Sequence, residues 1–288
     1  MQPQKIALLT DSCADISPQL AAENHIYVVP LRILCAGGEY QDGVNIFNTD
    51  IYRYLKAGEY PKTSLPSTED FGKALKQIHD DGFDGVIAVM MSSGLSGTYN
   101  LARLLEEECE EFIPVQAFDS LSASLGQGMT LLQLAEDIRS GMSWEELTER
   151  RVPQLIANSH AFFSVDTLEH LQKGGRIGKV TATAGALLQI KPILTFAEDG
   201  QLTSTAKVRG RKQVMQKLVD LVVERCGDHK RYNLAVANGG APEEMETLRA
   251  MLTEALPDYD HIWAGEIDGT LSVYIGEGIL GAAVQPLD

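Results

Sequence analysis

Hydroxyl-rich turns are the feature of this sequence that points most directly to chemistry. Residues 92–98 read SSGLSGT, and residues 63–67 read TSLPS. Two more polar clusters occupy residues 10–15 (TDSCAD) and 118–124 (FDSLSAS). Hydroxyl and backbone N–H groups donate hydrogen bonds to carboxylates and phosphates, and a helix N-terminus adds partial positive charge. The turns therefore predict a site for an anionic group.

Helix capping is the competing interpretation, because serine, threonine and aspartate are also the preferred N-cap residues. Capping is the favoured role for Ser67, but it does not account for Thr63 and Ser64. In residues 92–98 the glycines allow close backbone approach to a ligand, which favours an anion site over capping alone. For Asp11, a structural role in its turn and contact with a ligand remain equally open.

Catalysis by these clusters has weak support in the sequence. A nucleophilic serine needs a base within hydrogen-bond reach, and none of the six histidines lies inside a polar cluster. The sequence has no GxSxG elbow, no HExxH motif and no Walker A lysine pattern. We therefore predict no catalytic residue, no metal and no cofactor. The alternative is a hydrolase or phosphotransfer subunit that acts through Ser96 or Asp11.

Arginines beside glycines occur twice in the second half of the chain. The segment KGGRIG contains Arg176, and KVRGRK contains Arg209 and Arg211. In a chain with a net charge of −16, they suggest contacts to a phosphate or a partner protein. Solvated surface charge at turns explains them equally well.

Composition excludes several classes of partner. The chain has 288 residues, of which 44% are hydrophobic, and its acidic balance disfavours nucleic acid and anionic membrane surfaces. No apolar stretch approaches the ~18 residues of a membrane span, and no secretory signal is apparent. The four cysteines are far apart and without a CxxC pair, which predicts reduced thiols in a cytoplasmic protein. They are Cys13, Cys35, Cys109 and Cys226.

The elements that position the polar clusters alternate between strand and helix patterns in the first half. This alternation predicts a doubly wound parallel α/β sheet. Ligands bind beyond the carboxyl ends of the strands in such sheets, so three of the clusters should converge on one pocket rim. The predicted strands are residues 5–10, 25–33, 85–91 and 112–118.

The second half predicts a further α/β unit. Its last two strands are read as HIWAGEI and LSVYIG, joined by a turn at DGT. We place the domain boundary at residue 160, with residues 1–160 carrying the anion-binding turns and 161–288 forming a smaller domain. A cleft is expected between them. The other predicted strands are residues 161–166, 186–196, 202–208 and 232–238.

Taken together, the motifs resemble those of the DegV family of bacterial fatty-acid-binding proteins. The resemblance runs in order along essentially the whole chain. It is carried by TDSCAD, TSLPS, SSGLSGTY, FDS with ASLGQG, DTLEHLQKGGRIG, IKPIL with KVRGR, and GEGILG.

The resemblance implies two α/β domains with a long-chain fatty acid between them and its tail in an apolar tunnel. It also implies that Thr63 and Ser96 hold the carboxylate, with Ser93, Ser64 and Gly97 close by. Better-studied members are binding subunits of a bacterial fatty acid kinase, which present the acid to an ATP-using partner for acyl phosphate formation. Arg176 and Arg209 are then expected to contact the partner or the phosphate.

The chain departs from the family pattern in two places, at residues 274–278 and at residue 238. Tyr274 stands where the family has a histidine that helps to bind the carboxylate, and Glu277 replaces a proline nearby. A phenol still donates a hydrogen bond but carries no positive charge at neutral pH. We therefore expect Tyr274 to join the carboxylate site. Asn238 also replaces a frequent histidine.

Overall fold

The fold contains three β-sheets in the parts of the chain that the structure describes. The structure is a computed structural model, and it describes residues 4–109, 112–180 and 190–288. The strands are β1 Ile6–Asp11, β2 Ile26–Val29, β3 Arg32–Cys35, β4 Gly38–Gln41, β5 Lys62–Ser64, β6 Gly85–Met90, β7 Val115–Asp119, β8 His160–Ser164, β9 Ile190–Phe196, β10 Leu202–Arg209, β11 Tyr232–Gly239, β12 Ile262–Glu266 and β13 Ile279–Pro286.

Helices connect and cover the sheets. A 3₁₀ turn spans Ser12–Ala14, and a π-helical turn spans Leu147–Arg151. The α-helices are α1 Pro18–Glu23, α2 Asn48–Lys56, α3 Thr68–Asp80, α4 Thr98–Cys109, α5 Leu125–Arg139, α6 Trp144–Glu146, α7 Val152–Ala157, α8 Glu169–Lys173, α9 Arg211–Cys226, α10 Pro242–Ala255 and α11 Gly269–Ile275.

The first sheet is parallel, with the strand order β2-β1-β6-β7. Every residue of β1 and β6 is buried, because both faces of these continuous apolar runs are covered by other elements. The chain winds outward from β1 in two directions, so the α/β doubly wound sheet predicted from the sequence is confirmed. Its switch point lies between β1 and β6, where the crevice of such a sheet opens.

The second sheet has six strands in the order β10-β9-β8-β13-β11-β12. Its neighbours are antiparallel except for the parallel pair β11 and β12. Helices α9 and α10 pack their apolar residues on one face. Helix α5 contacts the other face and also contacts β1 and β6 of the first sheet. This helix therefore lies between the two sheets, which explains why almost all of its residues are buried.

Two predicted strands are wrong. Residues 25–33 do not form one strand, because the chain leaves the parallel sheet at Pro30 and enters a three-stranded sheet of order β4-β3-β5. The LSVYIG segment is not a strand but most of α11, whose N-terminus is capped by Asp268 through the backbone N–H of Leu271 at 2.8 Å. The DGT sequence begins this helix instead of turning a hairpin.

The strands of the six-stranded sheet begin at His160, which agrees with where the sequence changes character. The boundary at residue 160 nevertheless stays a prediction, because α11 packs back against α2, β3 and β5 from the first half. Within the described ranges, no helix combines the length and the apolar character that a membrane crossing needs.

Candidate functional site

A largely apolar cavity lies between the six-stranded sheet on one side and α5 with the turn after β6 on the other. The empty space between its walls is about 880 Å³, counting the part that opens to solvent. The apolar wall includes Leu31, Met91, Leu95, Leu125, Ala161, Phe163, Phe196, Ala235, Ala237, Ile279 and Ala283.

The polar lining gathers hydroxyl groups and one guanidinium. The side chains of Thr63 and Tyr274 meet here, with 2.5 Å between Oγ1 and the phenol oxygen. The Arg176 guanidinium lies 5.1 Å from the centre of the Tyr274 ring. Among the described residues, the polar lining consists of Thr63, Ser96, Ser124, Arg176, Thr270 and Tyr274.

The positions of Thr63 and Tyr274 are fixed by the elements that carry them. Thr63 lies in the short edge strand β5, opposite Ile33 of β3. Tyr274 projects from α11, and its ring lies against Gly174 at the end of α8. A Cβ atom at position 174 would come within 2.3 Å of the ring. Only glycine fits there without moving Tyr274 away from Thr63.

Ser96 has two roles available to it. Its hydroxyl accepts a hydrogen bond from the Thr98 backbone N–H at 3.3 Å and lies 2.9 Å from the Thr98 hydroxyl, so it holds the turn that leads into α4. The same side chain lines the cavity. The Arg176 Nε–H donates to the Leu95 carbonyl at 3.2 Å, which attaches the guanidinium to this turn. A structural role in the turn before α4 is therefore observed for Ser96, and anion binding stays a prediction.

The three polar clusters that follow strands β1, β6 and β7 do converge, as the sequence predicts, although mainly by bonding to one another. The Asp11 carboxylate accepts the backbone N–H of Met91 at 2.7 Å and that of Cys13 at 3.0 Å. The backbone N–H of Ser124 donates to the Cys13 carbonyl at 2.7 Å. Burial raises the pKa of Asp11 to about 6, against the lowering effect of its N–H donors.

These contacts favour the structural role for Asp11. Both of its oxygens are used by backbone donors, the residue is fully buried, and it is absent from the cavity lining. For Ser96, the described hydrogen-bond partner is Thr98, which is not a base. The arrangement offers no support for a hydrolase or phosphotransfer mechanism through either residue.

Other residues predicted for the site lie outside the cavity lining. Ser64 and Ser93 are exposed to solvent, and Gly97 is half-buried beside α4. Arg209 is seven residues along β10 from Leu202, a lining residue, which corresponds to roughly 23 Å of strand. Of the two predicted arginines, the structure brings Arg176 to the site.

Sequence reasoning missed Thr270 in the polar lining. Thr270 is buried one helical turn before Tyr274 on α11, and its hydroxyl has no hydrogen-bond partner among the described residues. The four-residue spacing would have identified it, but only once this segment was recognised as helical. Asn238, the second departure from the family pattern, is buried outside the lining and accepts the backbone N–H of Ala241 at 2.9 Å.

One group of side chains has the composition of a metal site. Cys13, Asp42 and Asp268 place ligand atoms within 4.8 Å of one another. Asp42 already accepts the hydroxyl of Ser12 and the backbone N–H of Gly269. Burial, reinforced by nearby carboxylates, raises the pKa of the Cys13 thiol, whereas metal binding requires the thiolate. This group therefore fits a hydrogen-bonded structural cluster better than a metal centre.

Comparison of the sequence with known proteins finds a match to one protein family and to curated relatives described in the same way. The family model described as DegV, an uncharacterised protein family, matches residues 5–287. A DegV domain-containing protein of Clostridium acetobutylicum is 36% identical over 281 residues, which is 98% of this chain and 99% of the relative.

Solved structures agree with this match. A DegV family protein from Thermus thermophilus, described for its fatty acid binding, superimposes with a TM-score of 0.91 at 30% identity, covering 98% of this chain and 100% of the other. The fatty acid kinase (Fak) B3 protein of Streptococcus pneumoniae, loaded with linoleic acid, gives 0.85 at 25% identity, covering 99% and 100%.

Proposed function

This chain belongs to the DegV family, and from that premise we propose that it binds one long-chain fatty acid in the cavity and presents the carboxylate to a partner kinase. The tail lies along the apolar wall, and the carboxylate lies near Thr63, Ser96 and Tyr274. The observation that carries the proposal is the position of these three polar side chains in an otherwise largely apolar cavity.

The cavity suits an acyl chain because burial of methylene groups supplies the binding energy. A tail of about 16 CH₂ groups gains on the order of 0.8 kcal/mol for each group buried, or about 13 kcal/mol before the costs of ordering and association. A ligand bound in this way needs few polar contacts. The wall meets that need with leucine, phenylalanine, isoleucine and alanine side chains.

The polar side chains suit a carboxylate because they are hydrogen-bond donors. One hydrogen bond between Thr63 and Tyr274 uses one of their two O–H groups, so the other remains to donate to a ligand. The Arg176 guanidinium, beside the Tyr274 ring, supplies positive charge. Hydroxyl donors and one guanidinium at the end of an apolar cavity are the groups that binding of a fatty acid requires.

Mass spectrometry of an organic extract from the purified protein tests the binding proposal. We expect one long-chain acid at near one-to-one stoichiometry. If the extract is empty, fatty acids are added to the protein and binding is measured directly. No binding in that second experiment would overturn the proposal.

Presentation to a kinase is tested separately with an ATP-dependent fatty acid kinase, by measuring acyl phosphate. We expect Arg176→Ala to lower acyl phosphate formation more than it lowers fatty-acid affinity, because Arg176 lies at the carboxylate end. Arg209→Ala is the comparison, since Arg209 lies far along β10. Formation of acyl phosphate at the wild-type rate by Arg176→Ala would exclude a role for Arg176 in presentation.

A further inference from the structure

One wall of the cavity is a ladder of small residues on the adjacent strands β11 and β13. Ala237 pairs with Gly281, and Ala235, two residues earlier on β11, pairs with Ala283, two residues later on β13. Alternate residues of a strand share one face, and all four of these residues line the cavity. Their small side chains leave the space that a tail would occupy.

The next pair on the same face is polar. Asn233 pairs with Gln285, and both side chains are fully buried. The Asn233 amide donates to Gln133 Oε1 at 2.8 Å, and the Gln285 amide donates to Thr130 Oγ1 at 3.0 Å. The side-chain oxygens of Asn233 and Gln285 have no partner among the described residues. We call these four residues, Thr130, Gln133, Asn233 and Gln285, the amide cluster.

The opposite wall changes character at the same level. Helix α5 begins with Leu125 and Gly126, which line the cavity, whereas Thr130 and Gln133, one to two turns later, belong to the amide cluster. Both walls therefore pass from apolar to polar at one depth. Neither Asn233 nor Gln285 is among the lining residues, so the cavity stops before them.

We propose that the amide cluster closes the far end of the tunnel and sets the upper limit on acyl chain length; this inference rests on the proposed function. A terminal methyl group that advanced farther would have to displace buried amides from their hydrogen bonds. Breaking such a bond costs more than burial of one additional methylene gains. Acyl chain length is therefore limited both by the space available and by the cost of breaking hydrogen bonds in the amide cluster.

The length of β13 along the cavity gives the scale of the limit. From Ile279 to Ala283, both lining residues, β13 advances by roughly 14 Å. An extended acyl chain advances about 1.3 Å per carbon with ordinary bond lengths, so this stretch of β13 accommodates about 11 carbons. The remaining carbons span the distance from Ile279 to the carboxylate end at Tyr274.

The test measures the affinity of the purified, delipidated protein for saturated acids in two-carbon steps. In the wild type, affinity should rise with length and then fall beyond an optimum. Ala283→Val and Ala235→Val place methyl groups at the end of the tunnel. We expect the optimum to move down by about two carbons, with at least a tenfold loss for the longest acids and little change for the shortest.

Ala264→Val is the matched control, because Ala264 lies in β12 but is exposed and does not line the cavity. Its length profile should equal that of the wild type. The opposite change is Asn233→Ala combined with Gln285→Ala, which opens space beyond the ladder. We expect its optimum to move up by two carbons or more.

The outcomes separate this inference from the proposed function. A wild type that binds no acid of any length overturns the proposed function in the first step. A wild type that binds acids, together with folded Ala283→Val and Ala235→Val proteins that keep its length profile, overturns only the limit set by the amide cluster. If the Asn233→Ala, Gln285→Ala double variant fails to fold, the length profiles of the two valine variants still test the limit on chain length.

Discussion

The hydroxyl oxygens of Thr63 and Tyr274 lie 2.5 Å apart, although 211 positions separate the two residues in the sequence. One residue comes from an edge strand and the other from a helix that returns from the far half of the chain. The Tyr274 phenol is therefore hydrogen-bonded to Thr63, and it is not an isolated donor in an apolar wall. The pair is therefore a preformed donor site at the polar end of the cavity.

Removing the Thr63 hydroxyl should weaken fatty-acid binding. Thr63→Val keeps the shape of the side chain but removes the hydroxyl proposed to donate to the carboxylate, which is also the partner of Tyr274. We expect a loss of roughly tenfold or more in affinity, since hydrogen bonds to charged groups contribute about 1.5–3 kcal/mol. Titration with a fluorescent fatty acid measures the change. Thr205→Val, at an exposed position in β10, should bind like the wild type.

Ser96→Ala should also lower affinity, and here the loss of a structural hydrogen bond to the start of α4 must be separated from the loss of a donor to the ligand. Ser143→Ala removes the serine cap of α6, whose hydroxyl accepts the Glu146 N–H at 3.3 Å, and lies outside the cavity lining. Both variants should lose about 1 kcal/mol of stability in chemical unfolding. Equal fatty-acid affinities for the two variants would remove Ser96 from the carboxylate site.

The phenol of Tyr274 can be tested by two substitutions with different chemistry. Tyr274→Phe keeps the ring beside Arg176 and loses only the hydroxyl, so affinity should fall about fivefold to tenfold. Tyr274→His restores a donor and should recover part of that loss. Calorimetric titration with the acid found in the extract measures both. An unchanged affinity in Tyr274→Phe would exclude the hydroxyl from the site.

Close packing between the turn after β6 and the β9–β10 connection should be sensitive to one methyl group. A Cβ atom at Gly94 would lie 2.4 Å from the backbone carbon of Gly200. Gly94→Ala should therefore lower the unfolding temperature and weaken ligand binding, because Ser96 lies in the displaced turn. Gly72→Ala is the control: it has free space around it inside α3 and should gain up to about 1 kcal/mol of helix propensity.

Stability should depend on pH through the buried carboxyl groups beside α11. Burial, with a contribution from nearby Asp42, raises the pKa of Asp15 to about 7, and burial also raises the pKa of Asp268. Asp11 and Cys13 lie close to these carboxyl groups and belong to the same buried group of side chains. The unfolded pKa of aspartate is about 3.9, so between that pH and about 7 the folded state binds more protons, and stability falls as the pH rises.

Asp15→Asn removes one of these titrations. The wild type should therefore lose stability relative to Asp15→Asn between about pH 4 and pH 7 in urea unfolding. The measured quantity is the difference in unfolding free energy between the two proteins, because the contribution of exposed ion pairs changes with pH equally in both. A parallel pH dependence of the two proteins would show that Asp15 does not take up a proton on folding.

The sequence was informative where a residue's role depends on its neighbours in the chain. The apolar run of β6 and the capping serine at position 67 were read correctly, since strand burial and capping follow local patterns. The α11 segment was misread because LSVYI is short and rich in β-formers, while its contacts with α2 lie more than 200 positions away. Asp268 then resembled a hairpin turn although it is an N-cap.

The residues that close the tunnel could not be predicted from local sequence patterns. Asn233 contacts Gln133 across 100 positions, and Gln285 contacts Thr130 across 155 positions. Each residue by itself resembles an ordinary polar residue at a strand end. Only the pairing of β11 with β13 and the path of α5 bring them together.

Helix α5, which lies between the two sheets, has a consequence for the molecule as a whole. Because its side chains belong to the interior on both sides, neither half retains a complete core without the other, and the chain should melt in one cooperative transition. If the proposed fatty acid lies against α5, it stabilises both halves of the chain together, by an amount that grows with its free concentration. The quantity of intact protein in a cell would follow the supply of its lipid.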